Sequence, residues 1–429
     1  MKICFLTLGC KVNQYETVGL RELFMKDTNS VTNKISDADV VVINSCSVTA
    51  ESDRKTRQLV RRCRRTAPNA VLVLAGCMAQ VAPDLLNVLP EVDLVVGNRE
   101  LGRVPQLVEA FLQDKIRRNC VLLHTEKETY HTPSITTFPE RTRAYMKIED
   151  GCDRYCSYCI IPFARGHVRS RSLCDIQKEA QQLAASGYNE IVLVGINLSA
   201  YGHGETFDLC DAVATVCNVD GIKRVRLGSL EPDHITDTML EKFKEQEKFC
   251  PQFHLSLQSG SDGTLKRMNR HYDSAFYFDL VERIRAVFPD ASITTDVMVG
   301  FAGETQEEFD ESYCFVEKIG FAKTHVFVYS KRQGTFAATL QNQVAPSVAE
   351  ERSRKMIALT DRLEQEFYEK QCGMVFPVLF ETAENGSQEG FTPNYACVRV
   401  ETDEALTGQI KNVFIERVDN GVCIGKLIP

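Results

Sequence analysis

Residues 144–159 read AYMKIEDGCDRYCSYC, a short strand pattern followed at once by three closely spaced cysteines. These are Cys152, Cys156 and Cys159, in a C-x3-C-x2-C array. Three thiolates on one short loop can bind three irons of a [4Fe–4S] cluster and leave the fourth iron open to another ligand. The alternative is a closed zinc site, which needs a fourth ligand at finger-like spacing, and His167 is poorly placed for that role. We therefore predict an open iron–sulfur site on this loop.

Strand and helix patterns alternate from this point onward, which predicts an α/β barrel. The candidate strands are 144–148, 190–194, 224–227, 254–257, 292–299 and 324–328. Such units form a partial (β/α)6 barrel, in which the chemistry lies at the carboxyl ends of the strands. We assign this domain to residues 141–346 and a connecting helix to residues 347–370.

Residues 1–124 also alternate apolar runs with helical patterns, which predicts a parallel α/β domain. Three of its predicted strands are followed closely by Cys10, Cys46 and Cys77. Because the carboxyl ends of parallel strands share one sheet edge, these thiols are expected to converge there. One such cysteine is usually a small buried hydrophobe, but three at equivalent positions predict a second open-iron cluster. The polar segment 125–140 is interpreted as a linker.

Residues 371–429 are predicted to form a small antiparallel β-barrel. Short alternating runs are divided by Asn-Gly turns at Asn385-Gly386 and Asn420-Gly421. Four basic against eight acidic residues give this segment a charge of −4. The predicted fold class is thus α/β, in several domains.

The composition narrows the function classes. A net charge of −8 over 429 residues excludes a generic polycation that binds nucleic acid by bulk charge. No signal-peptide pattern is present, and no apolar run reaches the ~18 residues of a membrane span. In a reducing cytoplasm, 17 cysteines indicate metal or redox chemistry rather than disulfides. We expect a cytoplasmic protein with no membrane partner, in which the eleven cysteines outside the two triads (17 minus 6) pack in the interior.

Several motifs resemble those of a known family. They are TLGCKVNQYET (7–17), DGCDRYCSYCIIPFARG (150–166), HLSLQSGSD (254–262), KRMNR (266–270), TDVMVGFAGET (295–305) and YSKRQGT (329–335). The cysteine loop resembles that of radical S-adenosylmethionine enzymes, and the whole set is similar to their methylthiotransferases. The N-terminal motif is GCKVN and not GCQMN or GCPKN. In this respect the chain resembles the branch of the family that acts on N6-threonylcarbamoyladenosine in tRNA. Ala302 departs from the usual proline, which should alter loop stiffness more than chemistry.

This resemblance implies a tRNA-modifying enzyme that inserts a methylthio group at C2 of N6-threonylcarbamoyladenosine at position 37. It implies two [4Fe–4S] clusters, one on each cysteine triad. It also implies two S-adenosylmethionine molecules, one as methyl donor and one as the source of a 5′-deoxyadenosyl radical. The implied partners are the tRNA anticodon stem-loop, an electron donor of the flavodoxin or ferredoxin type, and a sulfur source. The C-terminal barrel is similar to the TRAM module, and no catalytic residue is assigned apart from the cluster ligands.

Residues at predicted strand ends are candidate contacts to S-adenosylmethionine, and the alternative for each is a turn or a cap. They are Tyr158, Gly195, Asn197, Ser229, Glu231, Gln258, Ser259, Gly300, Gly303 and Glu304.

A basic run at 54–65, RKTRQLVRRCRR, has seven cations and no anion. It predicts either a solvated helix face or an RNA-binding surface. The RNA candidates are Arg54, Lys55, Arg57, Arg61, Arg62, Arg64, Arg65, Arg165, Arg169 and Arg171, with Arg141 and Arg143 as further nearby cations.

Two other functions stay open at this point. The acidic C-terminal segment also fits methylthiolation of a basic ribosomal protein. A third possibility is an iron–sulfur or zinc RNA-binding module without radical chemistry.

Overall fold

The computed structural model describes residues 1–25, 29–82, 84–125, 128–139, 141–384 and 386–428. Asn385 of the predicted turn, parts of the predicted linker 125–140 and the last residue of the predicted β-domain lie outside these residues. The described residues form a parallel sheet with helices, a partial barrel and a small closed β-barrel. Every described helix is too short or too polar to cross a bilayer.

The N-terminal domain is a parallel sheet covered by helices on both faces. Its described strands are β1 (Lys2–Thr7), β2 (Ser30–Val31), β3 (Val40–Ser45), β4 (Val71–Gly76), β5 (Leu94–Val96) and β6 (Arg118–Cys120). Its described helices are α1 (Lys11–Met25), α2 (Ala50–Thr66), α3 (Cys77–Val81), α4 (Leu85–Val88) and α5 (Val104–Asp114). The strand order is β2-β1-β3-β4-β5-β6.

Alternation along each strand explains the two-sided burial of this sheet. Val41 and Ile43 of β3 pack in the core on the α2 side, whereas Val40 and Val42 pack in the core that contains α5. Both faces are therefore apolar, and the polar residues of the domain are concentrated at the strand ends.

The central domain is the predicted partial barrel. Its described strands are β7 (Arg143–Lys147), β8 (Glu149–Asp150), β9 (Arg169–Ser170), β10 (Glu190–Val194), β11 (Arg224–Leu227), β12 (Ser229–Leu230), β13 (Gln252–Leu255), β14 (Ser292–Val299) and β15 (Lys323–Val328). Its described helices are α6 (Ile161–Arg165), α7 (Leu173–Ala185), α8 (Leu209–Cys217), α9 (Asp237–Lys244), α10 (Asp262–Arg267), α11 (Ser274–Val287), α12 (Gln306–Ile319) and α13 (Pro346–Glu369).

The barrel wall is built from two parallel sheets, β7-β10-β11 and β12-β13-β14-β15. They meet at Gly228, where β11 and β12 are the two halves of one bent strand. Helices α8 and α12 begin with capping boxes, at Asp208 and Thr305 respectively, which supply partners for the first free N–H groups. The cysteine loop of this domain follows β7 and β8, as the pattern predicts.

The described part of 125–140 is not a free linker. Ile135 and Phe138 are buried in the barrel core, together with Val12 and Tyr15 of α1. The Tyr15 hydroxyl donates to the Pro133 carbonyl, 3.1 Å away. The segment is polar in composition, but its few apolar residues pack against both domains and hold them together.

The C-terminal strands are β16 (Val375–Glu384), β17 (Ser387–Phe391), β18 (Cys397–Glu401), β19 (Ile410–Asp419) and β20 (Val422–Leu427). In the described residues they close into the barrel β16-β17-β18-β20-β19. The predicted barrel is confirmed, with one exception to the antiparallel expectation: β18 and β20 run parallel. A closed ring with an odd number of strands cannot alternate direction throughout, so one neighbouring pair must be parallel.

The acidic barrel docks on the amino-terminal end of the central barrel. Glu381 pairs with Arg143 at 2.5 Å, and the Arg143 and Arg226 guanidiniums lie 5.0 and 4.7 Å from the Tyr395 ring centroid. Arg143 is therefore a docking residue, at the opposite end of β7 from the cysteine loop.

All cysteines are free thiols. Of those outside the triads, most are buried or half-buried, but Cys174 and Cys314 are exposed. The packing prediction is wrong for these two, because each lies on the solvent side of its helix.

Candidate active site

The carboxyl edges of the N-terminal sheet and of the central barrel face each other, and both cysteine triads lie at this interface. Arg165 follows the barrel cysteine loop and donates from Nε to Sγ of Cys77 in the N-terminal domain, 3.3 Å away. The Asn98 side chain donates to the Ala164 carbonyl at 2.7 Å. The fold thus brings the segment that follows the barrel cysteine loop into contact with Cys77 of the N-terminal triad.

Cys10, Cys46 and Cys77 lie at the ends of β1, β3 and β4, as the pattern predicts. Close backbone approach holds them together. Gly9 has a φ of +122°, and a Cβ on it would lie 2.8 Å from the Cβ of Cys46. Gly76, at φ +91°, turns the chain directly into Cys77.

A reciprocal pair of buried amides clamps the Cys10 and Cys46 loops. The Asn13 side chain donates to Asn44 Oδ1 and to the Ser45 carbonyl, both at 3.2 Å, and the Asn44 side chain donates to the Asn13 carbonyl at 3.0 Å. The Cys10 thiol donates to Asn13 Oδ1 at 3.2 Å. Asn13 lies within the quoted motif, but no local pattern indicates that it contacts Asn44.

The protein around Cys10 and Cys77 disfavours their thiolate forms. Cys46 and Cys77 are buried, whereas Cys10 keeps an accessible surface within the interface. Burial raises the pKa of Cys77 to about 11; Arg165 opposes this shift, and Cys46 adds to it. The surrounding protein also raises the pKa of Cys10 by desolvation. Iron binding at this triad must therefore displace thiol protons.

The barrel triad lies on a tight loop with its own arginine. The Cys159 N–H donates to the Cys156 carbonyl at 2.9 Å, and Cys159 Sγ accepts from the Ile161 N–H at 3.4 Å. Arg270 Nη1 donates to Cys156 Sγ at 3.2 Å and to Glu231 Oε1 at 3.3 Å. Arg270 lies within the KRMNR motif, yet nothing in that motif indicates a contact with the cysteine loop. Each triad therefore receives one N–H donor from a buried arginine.

Each triad supplies three thiols, the donor type that holds iron–sulfur clusters. Among the described residues, no three His, Cys, Asp or Glu side chains converge on one ion. A closed zinc site requires that convergence.

A network of largely buried charges joins the two domains beside the triads. Arg165 Nη2 donates to Glu16 Oε2 at 3.0 Å, and Lys147 Nζ lies 2.8 Å from Glu16 Oε1 and 2.7 Å from Asp150 Oδ2. Arg169 also lies 3.4 Å from Asp150, so three cations face the carboxylates of Glu16 and Asp150. Nearby cations hold the pKa of Glu16 and of Asp150 below the usual range, although burial opposes them.

Three predicted RNA contacts are occupied by carboxylates of the protein itself. Arg165 is fully buried, Arg171 pairs with Glu179 at 2.8 Å, and Arg169 pairs with Asp150 at 3.4 Å. Their charges are neutralised by carboxylates of the protein, from Glu179 only eight positions away to Glu16, 149 positions away. The surface that we propose for RNA therefore excludes these three arginines.

Helix α2 carries the remaining candidates. Most are exposed along its outer face: Arg54, Lys55, Arg57, Arg61, Arg62 and Arg65. Arg64 instead pairs with Asp93 at 2.7 Å and is largely covered. The helix starts four residues after Cys46. Because an α-helix rises ~1.5 Å per residue, Arg65 lies roughly 16 Å further along the axis than Arg54.

Two of the predicted cofactor contacts have unused polar atoms. Asn197 Oδ1 and Gln258 Oε1 are buried and have no hydrogen-bond partner among the described residues. Gln258 also has a φ of +69°, in the left-handed region that non-glycine residues rarely adopt. Buried polar atoms are normally hydrogen-bonded, so both positions fit a polar ligand.

Of the other cofactor candidates, one lines the barrel cavity and the rest contact neighbouring protein groups. Ser229 is exposed inside the barrel, and Gly195 packs against Glu149, whose Oε2 would lie 2.5 Å from an added Cβ. Ser259 is buried and accepts from the Ser261 N–H, and the Tyr158 ring packs edge-on to Phe301.

The strand-end loop 300–304 supports the fold. Glu304 accepts from the Gly300 N–H and from Arg352 on α13, both at 2.7 Å. Gly303 donates to the Asn342 carbonyl at 2.9 Å. These three candidates are occupied by contacts within the protein, while Glu231 is paired with Arg270 and Arg154.

Glu149 is a buried carboxyl that no sequence pattern indicates. Its Oε2 accepts from the N–H groups of Ile196 and Asn197 at 2.7 and 2.8 Å, and its Oε1 has no partner among the described residues. Burial, reinforced by Asp150, raises its pKa to about 8. Glu149 precedes the cysteine loop in sequence, and its carboxylate contacts the loop that follows β10.

A cavity of about 460 Å³ occupies the barrel interior, within the range of ligand sites. It extends from Lys11, next to Cys10, across the inner faces of β7, β11, β13, β14 and β15 to Tyr395 of the C-terminal barrel. Lys11 therefore connects the segment that carries Cys10 to the barrel cavity.

Two family models match the chain. A model described as "Uncharacterized protein family UPF0004" matches residues 2–97. The Radical SAM superfamily model matches residues 146–316. The two cysteine triads fall one in each matched region.

Relatives extend over nearly the whole chain. The chain is 38% identical to "Threonylcarbamoyladenosine tRNA methylthiotransferase MtaB" of Bacillus subtilis (strain 168), over 96% of this chain and 93% of that protein. It is 31% identical to "tRNA-2-methylthio-N(6)-dimethylallyladenosine synthase" of Clostridium perfringens (strain 13 / Type A), over 99% and 97%.

Among solved structures, the radical S-adenosylmethionine methyltransferase TsrM from Kitasatospora setae has a similar fold, with a TM-score of 0.57 at 11% identity. The match covers 90% of this chain and 79% of that one. The predicted family is confirmed by the sequence relatives, and the predicted fold by this structure. The chain belongs to the tRNA methylthiotransferase family of radical S-adenosylmethionine enzymes.

Proposed function

We propose that this enzyme inserts a methylthio group at C2 of N6-threonylcarbamoyladenosine at position 37 of tRNA. Enzymes of the family use [4Fe–4S] clusters and S-adenosylmethionine. The observation that carries the proposal is the meeting of two three-cysteine sets at one interface, linked by Arg165 on Cys77. An aromatic C–H at C2 offers no acidic proton, so a radical source and a sulfur source must lie close together.

Cys152, Cys156 and Cys159 would hold one [4Fe–4S] cluster, and Cys10, Cys46 and Cys77 the other. When bound, the first cluster and S-adenosylmethionine supply a 5′-deoxyadenosyl radical, and the second cluster supplies a place for sulfur; one further S-adenosylmethionine supplies the methyl group. The protein orients and shields these groups.

The chain's own residues have separate tasks in this proposal. Arg270 and Arg165 donate hydrogen bonds to one ligand sulfur in each triad, which stabilises negative charge on that sulfur. The unpartnered amide oxygens of Asn197 and Gln258 accept from S-adenosylmethionine. The position of both triads between the two domains limits the access of water to the reacting groups.

The partners follow from the same geometry. We propose that the anticodon stem-loop contacts the exposed cations on the outer face of α2, such as Arg57 and Arg62, because Arg54 is already paired with Glu51 at 2.6 Å. An electron donor of the flavodoxin or ferredoxin type and a sulfur source are required by the chemistry.

Mass spectrometry of tRNA from a strain lacking the gene tests the product. The 2-methylthio form of threonylcarbamoyladenosine should disappear, and reconstituted protein should hold about eight irons per chain. If the nucleoside persists and a ribosomal-protein peptide instead lacks a methylthio group, the RNA assignment is wrong.

Two cysteine variants test the division of labour. Cys156→Ala should abolish formation of 5′-deoxyadenosine by the reduced enzyme, because it removes a ligand of the radical cluster. Cys46→Ala should retain that cleavage and stop sulfur insertion. An RNA-binding module without radical chemistry would produce no 5′-deoxyadenosine even before mutation.

A further inference from the structure

The barrel cavity is lined by more positive than negative side chains. The lysines and arginines on its wall are Lys11, Arg143, Arg226 and Lys323, and the carboxylates are Asp296 and Glu364. A low-dielectric cavity with surplus positive charge favours an anionic ligand.

Nearly all of that positive charge is already neutralised. Arg143 pairs with Glu381 at 2.5 Å, and Arg226 with Glu190 at 2.9 Å. Lys323 pairs with Glu364 at 2.5 Å.

Lys11 differs from the other three lining cations. Among the residues that the structure describes, no carboxylate pairs with its ammonium group, which lies 5.9 Å from the centroid of the Tyr145 ring. Its side chain is exposed toward the cavity that it lines. Lys11 also directly follows Cys10, so its side chain extends into the cavity from the segment that carries one cysteine of the N-terminal triad.

A second observation indicates a polar ligand in this cavity. Ser292 lies on the cavity wall, is 1% exposed, and its hydroxyl has no partner among the described residues. On the same wall, His254 and Asp296 pair with each other at 3.3 Å. Ser292 is the first residue of β14, so its unused hydroxyl lies at the amino-terminal end of the barrel, and the cavity offers polar groups there as well as at Lys11.

We propose that Lys11 is a specificity residue that binds the carboxylate of the threonylcarbamoyl group of the substrate nucleoside. This inference rests on the proposed function. Threonylcarbamoyladenosine ends in a carboxylate and a hydroxyl, whereas a dimethylallyl group has neither and would leave the ammonium unpaired in the filled cavity. Lys11 therefore favours the first nucleoside and disfavours the second.

The same carboxylate chemistry occurs in the methionine part of S-adenosylmethionine, and the experiment separates the two sources. Reconstituted holoenzyme is titrated, without S-adenosylmethionine, against three stem-loops that carry threonylcarbamoyladenosine, its carboxylate methyl ester, or unmodified adenosine at position 37. S-adenosylmethionine binding is measured in a separate titration.

Lys11→Met should weaken binding of the threonylcarbamoyl stem-loop by about ten- to a hundredfold, the effect of removing one charged hydrogen bond. Binding of the ester and unmodified stem-loops should stay within about twofold of wild type. Lys11→Arg should recover most of the affinity. The matched control is Lys178→Met, an exposed lysine on α7 that pairs with Asp175 at 3.9 Å, which should bind all three RNAs normally.

Equal weakening for all three stem-loops would show a general RNA contact and overturn the inference, and so would a change confined to S-adenosylmethionine binding. If Lys11→Met loses iron, the wild-type protein alone can test the proposal. The proposal requires that wild type bind the threonylcarbamoyl stem-loop more tightly than the stem-loop that carries its methyl ester. If wild type modifies no threonylcarbamoyl stem-loop at all, the proposed function itself fails. If wild type modifies the threonylcarbamoyl stem-loop normally but binds it no more tightly than the methyl ester, only the role of Lys11 is overturned.

Discussion

Glu16 stabilises the interface between the N-terminal domain and the barrel, and Glu16→Gln tests this role. Its carboxylate, on α1, faces Arg165 and Lys147, both on the barrel side and both almost fully buried. The substitution keeps the size of the side chain and removes its charge. Arg165 and Lys147 would then be left with Asp150, which Arg169 also contacts at 3.4 Å.

Removing one partner of a buried ion pair costs about 3–5 kcal/mol, because the remaining charge is left uncompensated. Glutamine still offers one acceptor oxygen, so we expect the lower end, about 3 kcal/mol. At about 1.4 kcal/mol per factor of ten, opening of this interface becomes roughly a hundredfold more frequent.

Amide hydrogen exchange of the anaerobic holoenzyme measures this opening directly. Peptides from α1 should exchange roughly a hundredfold faster in Glu16→Gln, while those from the C-terminal barrel should not change. Glu22→Gln is the matched control on the same helix, since Glu22 accepts hydrogen bonds from the partly exposed Thr136. It should change opening by less than about 1 kcal/mol.

Unchanged exchange of α1 in Glu16→Gln would mean that this carboxylate does not compensate the buried cations. A double variant gives a second check. Combining Glu16→Gln with Arg165→Gln should cost less than the sum of the single changes, because the pair is removed together. Strict additivity would show that the two residues act independently.

Three further results are expected. The free energy of unfolding should decline as the pH rises from about 4.5 toward 8, because the raised pKa of Glu149 means that its buried carboxyl ionises over that range. Urea titrations at several pH values should show a flatter decline for Glu149→Gln. An equally steep decline in the variant would show that Glu149 is not the group responsible. Replacing Arg57 and Arg62 by glutamine should make the log–log salt dependence of stem-loop binding shallower by about 0.7 for each phosphate that these arginines neutralise, with no change expected if α2 is only a solvated face. Gly76→Ala should remove about four irons per chain, because its Cβ would clash with Asn44 Oδ1 at a φ of +91°; full iron retention would show that this loop adapts.

Local patterns are enough to predict much of the fold. The parallel strands of the N-terminal domain are continuous apolar runs because both of their faces are buried, and such runs are visible in sequence. The strand-end positions of Cys10, Cys46 and Cys77 follow from those runs. The helical pattern over 347–370 corresponds closely to α13, which is Pro346–Glu369.

Prediction fails where the partner of a residue comes from a distant segment. Arg165, Arg169 and Arg171 are charged and follow a functional loop, which suggests RNA contacts. Arg165 instead meets Glu16, 149 positions away. A charge is stable inside a protein only when a partner compensates it, and local sequence does not identify that partner.

Periodicity and spacing are local properties of the chain, and they are sufficient to identify the two cysteine triads and the strands that carry them. Only the packing of the domains reveals that the two triads face each other, that Arg270 and Arg165 donate to their sulfurs, and that Lys11 enters the barrel cavity. Burial and ion pairing are set by contacts between residues far apart in sequence, so no pattern within one segment specifies them.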